Sequence, residues 1–168
     1  MSETPVDELI ESIKSVHRSF PTGVTIVTTF AEDQPFGLAV NAFSSVALDP
    51  PMVMVCVAAT SSTYPRLFSS DQITINMLAS DQQDVARQFG RRGADKFAGI
   101  PWHRGNNGTP ILDGATAHLE VTIVSRVPAG THTIFIGRVT DAAATGKAPL
   151  VYHNASFFDG SWLTDMAG

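Results

Sequence analysis

Strand-like segments follow one another along most of this chain, with little helix between them. Runs of β-branched and apolar residues, bounded by glycine, proline and polar turns, predict strands at 24–30, 36–51, 52–59, 72–78, 117–127, 131–142 and 149–153. Strands that follow strands without long crossovers favour antiparallel pairing. We therefore predict an α+β fold in which an antiparallel sheet closes, or nearly closes, into a barrel with helices over its ends.

Three shorter segments are typical of helices. Thr4 and Pro5 make a helix start, and the apolar residues that follow recur at helical spacing, so this helix is expected to pack one stripe on the domain. A short helix is predicted over 64–69. A third is predicted from Ser80, as N-cap with Gln83 reaching back, to Phe89.

Length and charge restrict the class of protein. A chain of 168 residues is predicted to form a single domain over 1–168, with an N-terminal helix at 1–19, a barrel at 20–158 and a tail at 159–168. The formal charge of −5 argues against nucleic acid as a partner. The sequence shows neither an apolar run that would span a bilayer nor a signal-peptide pattern, so we expect no membrane contact and a cytoplasmic location.

The segment 36–51 combines an apolar face with a polar one. In a regular strand Leu38, Val40, Ala42, Val46 and Leu48 would share one face. Asn41, Phe43 and Ser45 would share the other. This second face is either an exposed or locally satisfied strand surface, or the binding surface for a flat ligand with a polar edge; on parity alone the two are equally supported.

Two further stretches suit an anion. Ser61, Ser62 and Thr63 precede the short helix 64–69, where they either cap the helix or bind an anion at its free amides. Arg91, Arg92 and Lys96 lie together in a later loop, which is either a solvated surface or a phosphate site.

Other chemistries are disfavoured. The five histidines are scattered and there is one cysteine, so no metal site is predicted. Segment 52–59 is apolar throughout, which predicts a strand buried on both faces with Cys56 as a core thiol. Glu120, in the middle of a predicted strand, is interpreted as a polar residue at a strand edge.

Seven blocks of sequence, in order, resemble the flavin reductase family of split-barrel flavoproteins. They are FPTGVTIVTT (20–29), GLAVNAFSSVALDPPMVMVCV (37–57), SSTYPRL (61–67), ITINML followed by DQQDVARQF (73–89), DKFAGI (95–100), GTHTIFIGRV (130–139) and PLVYH (149–153). The similarity is closest to the small reductase components of two-component flavin-dependent monooxygenases. It covers the chain from about Phe20 to about Phe157.

The resemblance implies a homodimer of six-stranded split barrels with a flavin, FMN or FAD, in a groove at or near the subunit interface. The residues it assigns to that groove are Thr22, Gly23, Val24, Thr28, Thr29, Asn41, Ala42, Phe43, Ser44, Ser45, Ser61, Ser62, Thr63, Asn76, Met77, Arg91, Arg92, Lys96 and Tyr152. The turn 61–63 would take the flavin phosphate, and Asn76 and Met77 would lie by the ribityl chain. His132 resembles the histidine that lies against the nicotinamide of NADH or NADPH. Thr131 stands before it where the family usually has an acidic residue.

The implied activity is an NAD(P)H-dependent flavin reductase that passes reduced flavin, by diffusion, to a separate oxygenase. Hydride transfer between stacked rings needs proximity more than acid–base groups, which agrees with the lack of a catalytic triad or dyad in the sequence. The sequence leaves two alternatives open. One is a flavin-binding storage or electron-transfer protein without reductase activity, and the other is a split-barrel oxidase of a small metabolite such as a pyridoxine phosphate.

Overall fold

The computed structural model describes residues 6–93 and 95–166, and the predicted helix start at Thr4 and Pro5 lies outside them. The helices are α1 (Val6–Arg18), α2 (Tyr64–Ser69) and α3 (Gln83–Gly90), with a 3₁₀ turn at Gly160–Trp162. The strands are β1 (Thr22–Gly23), β2 (Thr25–Ala31), β3 (Gln34–Val40), β4 (Phe43–Leu48), β5 (Pro51–Ala58), β6 (Gln72–Met77), β7 (Trp102–Arg104), β8 (Pro110–Leu112), β9 (Ala117–Ala129), β10 (His132–Ala144), β11 (Leu150–His153) and β12 (Ser156–Asp159). Among the described residues, no helix has the length and apolar character needed to cross a membrane.

The main sheet is antiparallel throughout, which confirms the predicted α+β class. Its order is β3-β2-β6-β9-β10-β5-β4, so it has seven strands where the resemblance implied six. The difference arises because segment 36–51 is not one strand. It breaks at Asn41 and Ala42 into β3, which pairs with β2, and β4, which pairs with β5.

The break at Asn41 also explains how the sheet curls. β3 and β4 are consecutive in the chain, yet they form the two opposite edges of the sheet. Only Asn41 and Ala42 join them, so the edges must meet at this point. The amide of Cys56 in β5 donates to the carbonyl of Ala42 at 3.0 Å, which ties the junction to the strand beside the edge strand β4.

The apolar core fills the inside of this curled sheet. It is built from alternate residues of the strands, as a half-buried strand requires. Its members include Val27, Leu38, Val40, Val53, Val55, Val57, Ile73, Ile75, Val121 and Phe135. A second cluster, which includes Ile26, Leu78, Phe89, Phe97, Leu112 and Leu150, holds α3 and the segments around β8 and β11 against the outer side of the sheet.

Helix α3 begins later than its sequence predicts. The capping box was assigned to Ser80 and Gln83, but the helix starts at Gln83 with Gln82 as its N-cap. The side chain of Gln82 accepts from the Ala79 amide at 3.0 Å and donates to the Asp113 carbonyl at 2.9 Å. The reciprocal bond is therefore made one residue earlier, and the same side chain joins α3 to the segment after β8.

A row of polar side chains crosses the outer face of the sheet beneath the β7–β8 hairpin. Thr28, Thr74 and Glu120 are cross-strand neighbours on β2, β6 and β9, and each is fully buried. Glu120 accepts from the amides of Asn106 and Asn107 at 3.0 and 2.5 Å. The interpretation of Glu120 as a strand-edge residue is wrong, because β9 lies inside the sheet and the hairpin loop covers the carboxylate.

Two apolar surfaces that the sequence predicts to be buried are uncovered among the residues that the structure describes. The stripe of α1 (Val6, Leu9, Ile10, Ile13 and Val16) is 43–72% exposed, so the prediction that it packs on the domain is wrong within the described chain. Strand β5 buries alternate residues and leaves Met54 on its outer face 37% exposed. The prediction that this strand is buried on both faces is therefore also wrong within one chain.

We expect Glu120→Gln to lower the free energy of unfolding by about 1–3 kcal/mol. The amide would keep one acceptor for the two backbone N–H groups and would turn its own donor toward the second, at a side chain that is only 1% exposed. Urea denaturation should show a lower midpoint with an unchanged slope. Glu32→Gln is the matched control because its carboxylate is exposed and makes one long contact, 3.4 Å, to Arg66. Equal midpoints for the two variants would contradict the structural role of Glu120.

Candidate flavin and nucleotide groove

A groove with a volume of 1270 Å³ lies over the junction of β3 and β4. The chain leaves its regular pairing there, so backbone and side chains become available to a ligand. Ten of the residues assigned from the resemblance line it: Val24, Asn41, Ala42, Ser61, Ser62, Arg91, Arg92, Lys96, His132 and Tyr152. Stretches that are distant in sequence thus meet at one place.

Asn41 supplies the amide at the floor of the groove. Its side chain is exposed, and it has no hydrogen-bond partner among the residues the structure describes. Its carbonyl accepts from the Phe43 amide at 2.9 Å, which fixes the turn between β3 and β4. A free amide on a fixed backbone can donate to and accept from the edge of a planar ligand.

His132 lies at the rim, where β10 begins. Its backbone pairs with Ala58 of β5 and Ala129 of β9, so its position is set by the sheet on both sides. The hydroxyl of Thr131 is 2.9 Å from Nδ1 of the imidazole. The ring is exposed and lines the groove.

The turn between β5 and α2 presents Ser61 and Ser62. Neither Ser62 nor Thr63 caps α2 with its side chain. Thr63 is buried instead, and its hydroxyl donates to the Gly37 carbonyl at 2.9 Å. Ser61 accepts from the Thr63 amide at 3.3 Å. Since Ser62 is exposed and without a partner in the described chain, its hydroxyl is available at the groove.

The opposite wall is strongly basic. Arg87, Arg91, Arg92 and Lys96 line it, and none of the groove's described lining residues is a carboxylate. None of these four takes part in a salt bridge between described residues. Burial lowers the pKa of Lys96, because desolvation disfavours its charged form and no carboxylate compensates. In an acidic chain, such a wall attracts an anionic ligand.

A second groove, of 1090 Å³, adjoins the first and shares Val24, Asn41, Ala42 and Tyr152 with it. It contains four more of the assigned residues, Thr22, Gly23, Phe43 and Met77. The hydroxyl oxygen of Thr22 is buried and has no hydrogen-bond partner among the described residues. Most buried polar atoms in proteins have such a partner. The two grooves therefore meet at the four residues that line both.

The structure does not bring the remaining assigned residues to either groove. Thr28, Thr29 and Asn76 are 0% exposed. Asn76 donates to the Ile26 carbonyl and accepts from the Leu112 amide, so both ends of its side chain are used in packing. Thr63 is buried as described above.

Ser44 and Ser45 lie on β4, and the Ser44 hydroxyl donates to the Ser45 carbonyl. The pairing of β4 with β5 is irregular between Ser45 and Ala47. The parity assigned to 36–51 therefore does not extend through this strand: Val46 and Leu48, expected on the core face, are 53% and 88% exposed. A contact of either serine with flavin stays a prediction.

Several groove residues were not assigned from the sequence. One of them is Arg87, whose guanidinium carbon lies 5.9 Å from the centre of the Phe157 ring. The Phe157 ring packs on Tyr152, with 5.3 Å between the ring centres. Cys56 and Ala58 reach the groove because alternate residues of β5 face outward. The i, i+4 spacing of Gln83 and Arg87 on one helix face was the available signal for α3.

The chain is similar in sequence and in structure to known flavin reductases. The family described as "Flavin reductase like domain" matches residues 17–161. The reductase component of the flavin-dependent trigonelline monooxygenase of Acinetobacter baylyi is 38% identical over 159 residues, covering 94% of this chain and 51% of the relative. The chain thus spans about half the length of that protein.

Two relatives match over most of their length. The NADH-dependent FMN reductase SmoA of Agrobacterium fabrum is 34% identical over 153 residues, covering 91% of this chain and 87% of the relative. The NADH:FAD oxidoreductase of Streptomyces globisporus, solved with NAD and FAD fragments, superposes with a TM-score of 0.85 at 31% identity, covering 94% of this chain and 96% of that one.

Inorganic phosphate should stabilise the protein through the basic wall. A bound anion offsets the desolvation of Lys96, so the melting temperature should rise with phosphate concentration as binding to the folded state requires. We expect Lys96→Met to remove most of that rise, measured by calorimetry at constant ionic strength. Lys14→Met is the control, since Lys14 lies on α1 and pairs with Glu11. An equal response of all three proteins would show that phosphate does not bind at Lys96.

Proposed function

Because the chain belongs to the flavin reductase like domain family, we propose that it is a reductase that uses NADH or NADPH to reduce FMN or FAD. The reduced flavin then leaves for a partner monooxygenase. The observation that carries this proposal is the groove itself, in which a free amide, a free hydroxyl, a basic wall and a histidine converge.

The groove residues fit the parts of a flavin. The isoalloxazine is a flat apolar body with carbonyl and N–H groups on one edge, which the amide of Asn41 can pair. The phosphate suits Ser62 and the cations of α3 and its following loop, where no carboxylate would repel it. The unpartnered hydroxyl of Thr22 offers one more polar contact in the adjoining groove.

A bound flavin supplies the chemistry, since its ring accepts a hydride from reduced nicotinamide. The chain supplies position. Asn41 would fix the ring edge, and His132 would hold the nicotinamide from the opposite rim. Proximity and the exclusion of water are the main demands of this reaction, so residues that bind and orient are sufficient.

The relatives support both flavins and NADH. One is an FMN reductase that uses NADH, and another was solved with fragments of NAD and FAD. A third is the reductase component of a monooxygenase, which supports an oxygenase as the recipient of the reduced flavin. We extend these properties to this chain as part of the proposal.

We further propose that the protein is a single-domain homodimer of split barrels, with the groove at the subunit interface. The uncovered apolar surfaces support this. A helix of 13 residues is marginal in water by itself, and no residue of α1 is buried within the described chain. The outer face of β5 is uncovered at Met54 and runs on through Cys56 and Ala58 into the groove. A second copy is the occupant that would bury these surfaces.

The purified protein should oxidise NADH or NADPH in air when FMN or FAD is added. We expect His132→Ala to lower kcat/KM for the nicotinamide by about tenfold or more, as the loss of a contact to a charged or polar partner requires. Flavin affinity, measured by fluorescence quenching, should change less than twofold. The rates are obtained from the loss of the near-ultraviolet absorbance of reduced nicotinamide as it is oxidised.

His103→Ala serves as the control for this experiment. His103 is an exposed histidine on β7, paired with Asp113 at 2.7 Å and outside the groove. Absence of oxidation with all four pairings of flavin and nicotinamide would refute the reductase. Equal losses of flavin and nicotinamide binding in His132→Ala would remove His132 from the nicotinamide site.

For the dimer, we expect Ile13→Glu to convert the protein to a monomer in sedimentation velocity at micromolar concentration. The charge would enter the apolar stripe of α1, which is the surface proposed to be buried. Ser15→Glu adds the same charge on the opposite face of the helix and should leave the dimer intact. A wild-type monomer, or equal behaviour of both variants, would contradict this arrangement.

A further inference from the structure

Thr131 is in hydrogen-bond contact with His132, the histidine that lines the first groove. Its hydroxyl lies 2.9 Å from Nδ1 of His132, and this is the only side-chain hydrogen bond of His132 among the described residues. We propose that Thr131 is a positioning residue, whose hydroxyl holds the imidazole so that Nε2 faces the nicotinamide. The proposal rests on the reductase function, and it assigns to the Thr131 hydroxyl the role of orienting the His132 ring.

The backbone of His132 is fixed, but its ring is not. Pairing with Ala58 and Ala129 sets the position of the main chain. The rotation of an imidazole about its χ2 bond is broad, however, and the ring of His132 is exposed, so packing does not select one orientation. A hydrogen bond to Nδ1 is the means the chain has to restrict that rotation.

A hydroxyl suits this task because it is neutral and two-sided. It can donate to a bare Nδ1 or accept from a protonated one, whichever nitrogen carries the proton. In both cases Nε2 is left for the groove, as an N–H donor or as an acceptor. The carboxamide of a nicotinamide has both a carbonyl and an NH₂ group, so it can pair with either form.

Electrostatics of the groove agree with a neutral partner. The groove lining that the structure describes contains no carboxylate, and its basic wall is built for anionic phosphates. A carboxylate beside His132 would add a negative charge to a groove whose ligands, on the proposed function, carry phosphates. Thr131 orients the ring without that repulsion.

A purely structural role for Thr131 can be separated from this one. Its carbonyl accepts from the Ala59 amide at 3.0 Å, which closes the turn between β9 and β10 onto the end of β5. Thr131→Val keeps this backbone bond and the β-branched shape but removes the hydroxyl. Thr131→Ser keeps the hydroxyl and removes a methyl group.

The test compares wild type, Thr131→Val and Thr131→Ser in the full chain. We expect Thr131→Val to raise KM for the preferred nicotinamide about fivefold, the worth of one ordinary hydrogen bond. We expect kcat and flavin affinity to change less than about twofold. The melting temperature should change by less than about 2 °C. Thr131→Ser should restore KM. In a His132→Ala background, Thr131→Val should have no further effect, since the two residues act as one unit.

Unchanged KM in Thr131→Val, failure of serine to rescue, or additive effects in the double variant would overturn the proposal. So would equal losses for flavin and nicotinamide. Binding of NAD⁺ by calorimetry, with flavin present, gives a readout that does not need turnover. The two proposals can fail separately. If Thr131→Val binds NAD⁺ more weakly than wild type, but the wild-type protein does not oxidise NADH or NADPH, the reductase function is refuted and the positioning role of Thr131 is kept.

Discussion

The junction at Asn41 and Ala42 is the constraint on which the rest of the structure depends. Two residues carry the chain from one edge of a seven-stranded sheet to the other, so the sheet must curl until its edges meet. The right-handed twist of β-strands assists such curling. Regular pairing cannot pass through the meeting point, which leaves the amide of Asn41 without a partner in the described chain and opens the groove above it. Closure of the fold and creation of the site therefore have one cause.

Polar residues inside the strands divide into two groups that serve different purposes. Thr28, Asn76 and Glu120 face outward from the sheet, but the segment around β7 and β8 covers them and takes their hydrogen bonds. A buried polar group is tolerated only when it is paired, so this set specifies where that segment docks. Asn41 and Ser62 instead remain unpaired at the surface, where a ligand can complete them.

The sequence predicts most of the strands, their antiparallel pairing and most of the residues that line the groove, because these follow from local patterns and from ordered motif blocks. It does not separate Asn76 from Asn41, since both are asparagines in apolar strands. Only the tertiary position of the 102–112 segment distinguishes the satisfied amide from the free one. The predicted alternation of side chains between two faces fails at Ala42 and again near Ser45. It assumes an unbroken strand, whereas the strand ends before Ala42 and its pairing is irregular after Ser45.

The apolar surfaces that one chain leaves uncovered follow from the same physics. Strand β5 has apolar residues on both faces, a pattern typical of a strand buried on both sides, and yet only its inner face is covered here. Exposure of such a face is costly in water, in proportion to its apolar area. On the proposed dimer the second subunit would cover Met54 and approach Cys56 and Ala58, which already line the groove. Burial of β5 and enclosure of the flavin would then be the same event, and a monomer would lose both at once.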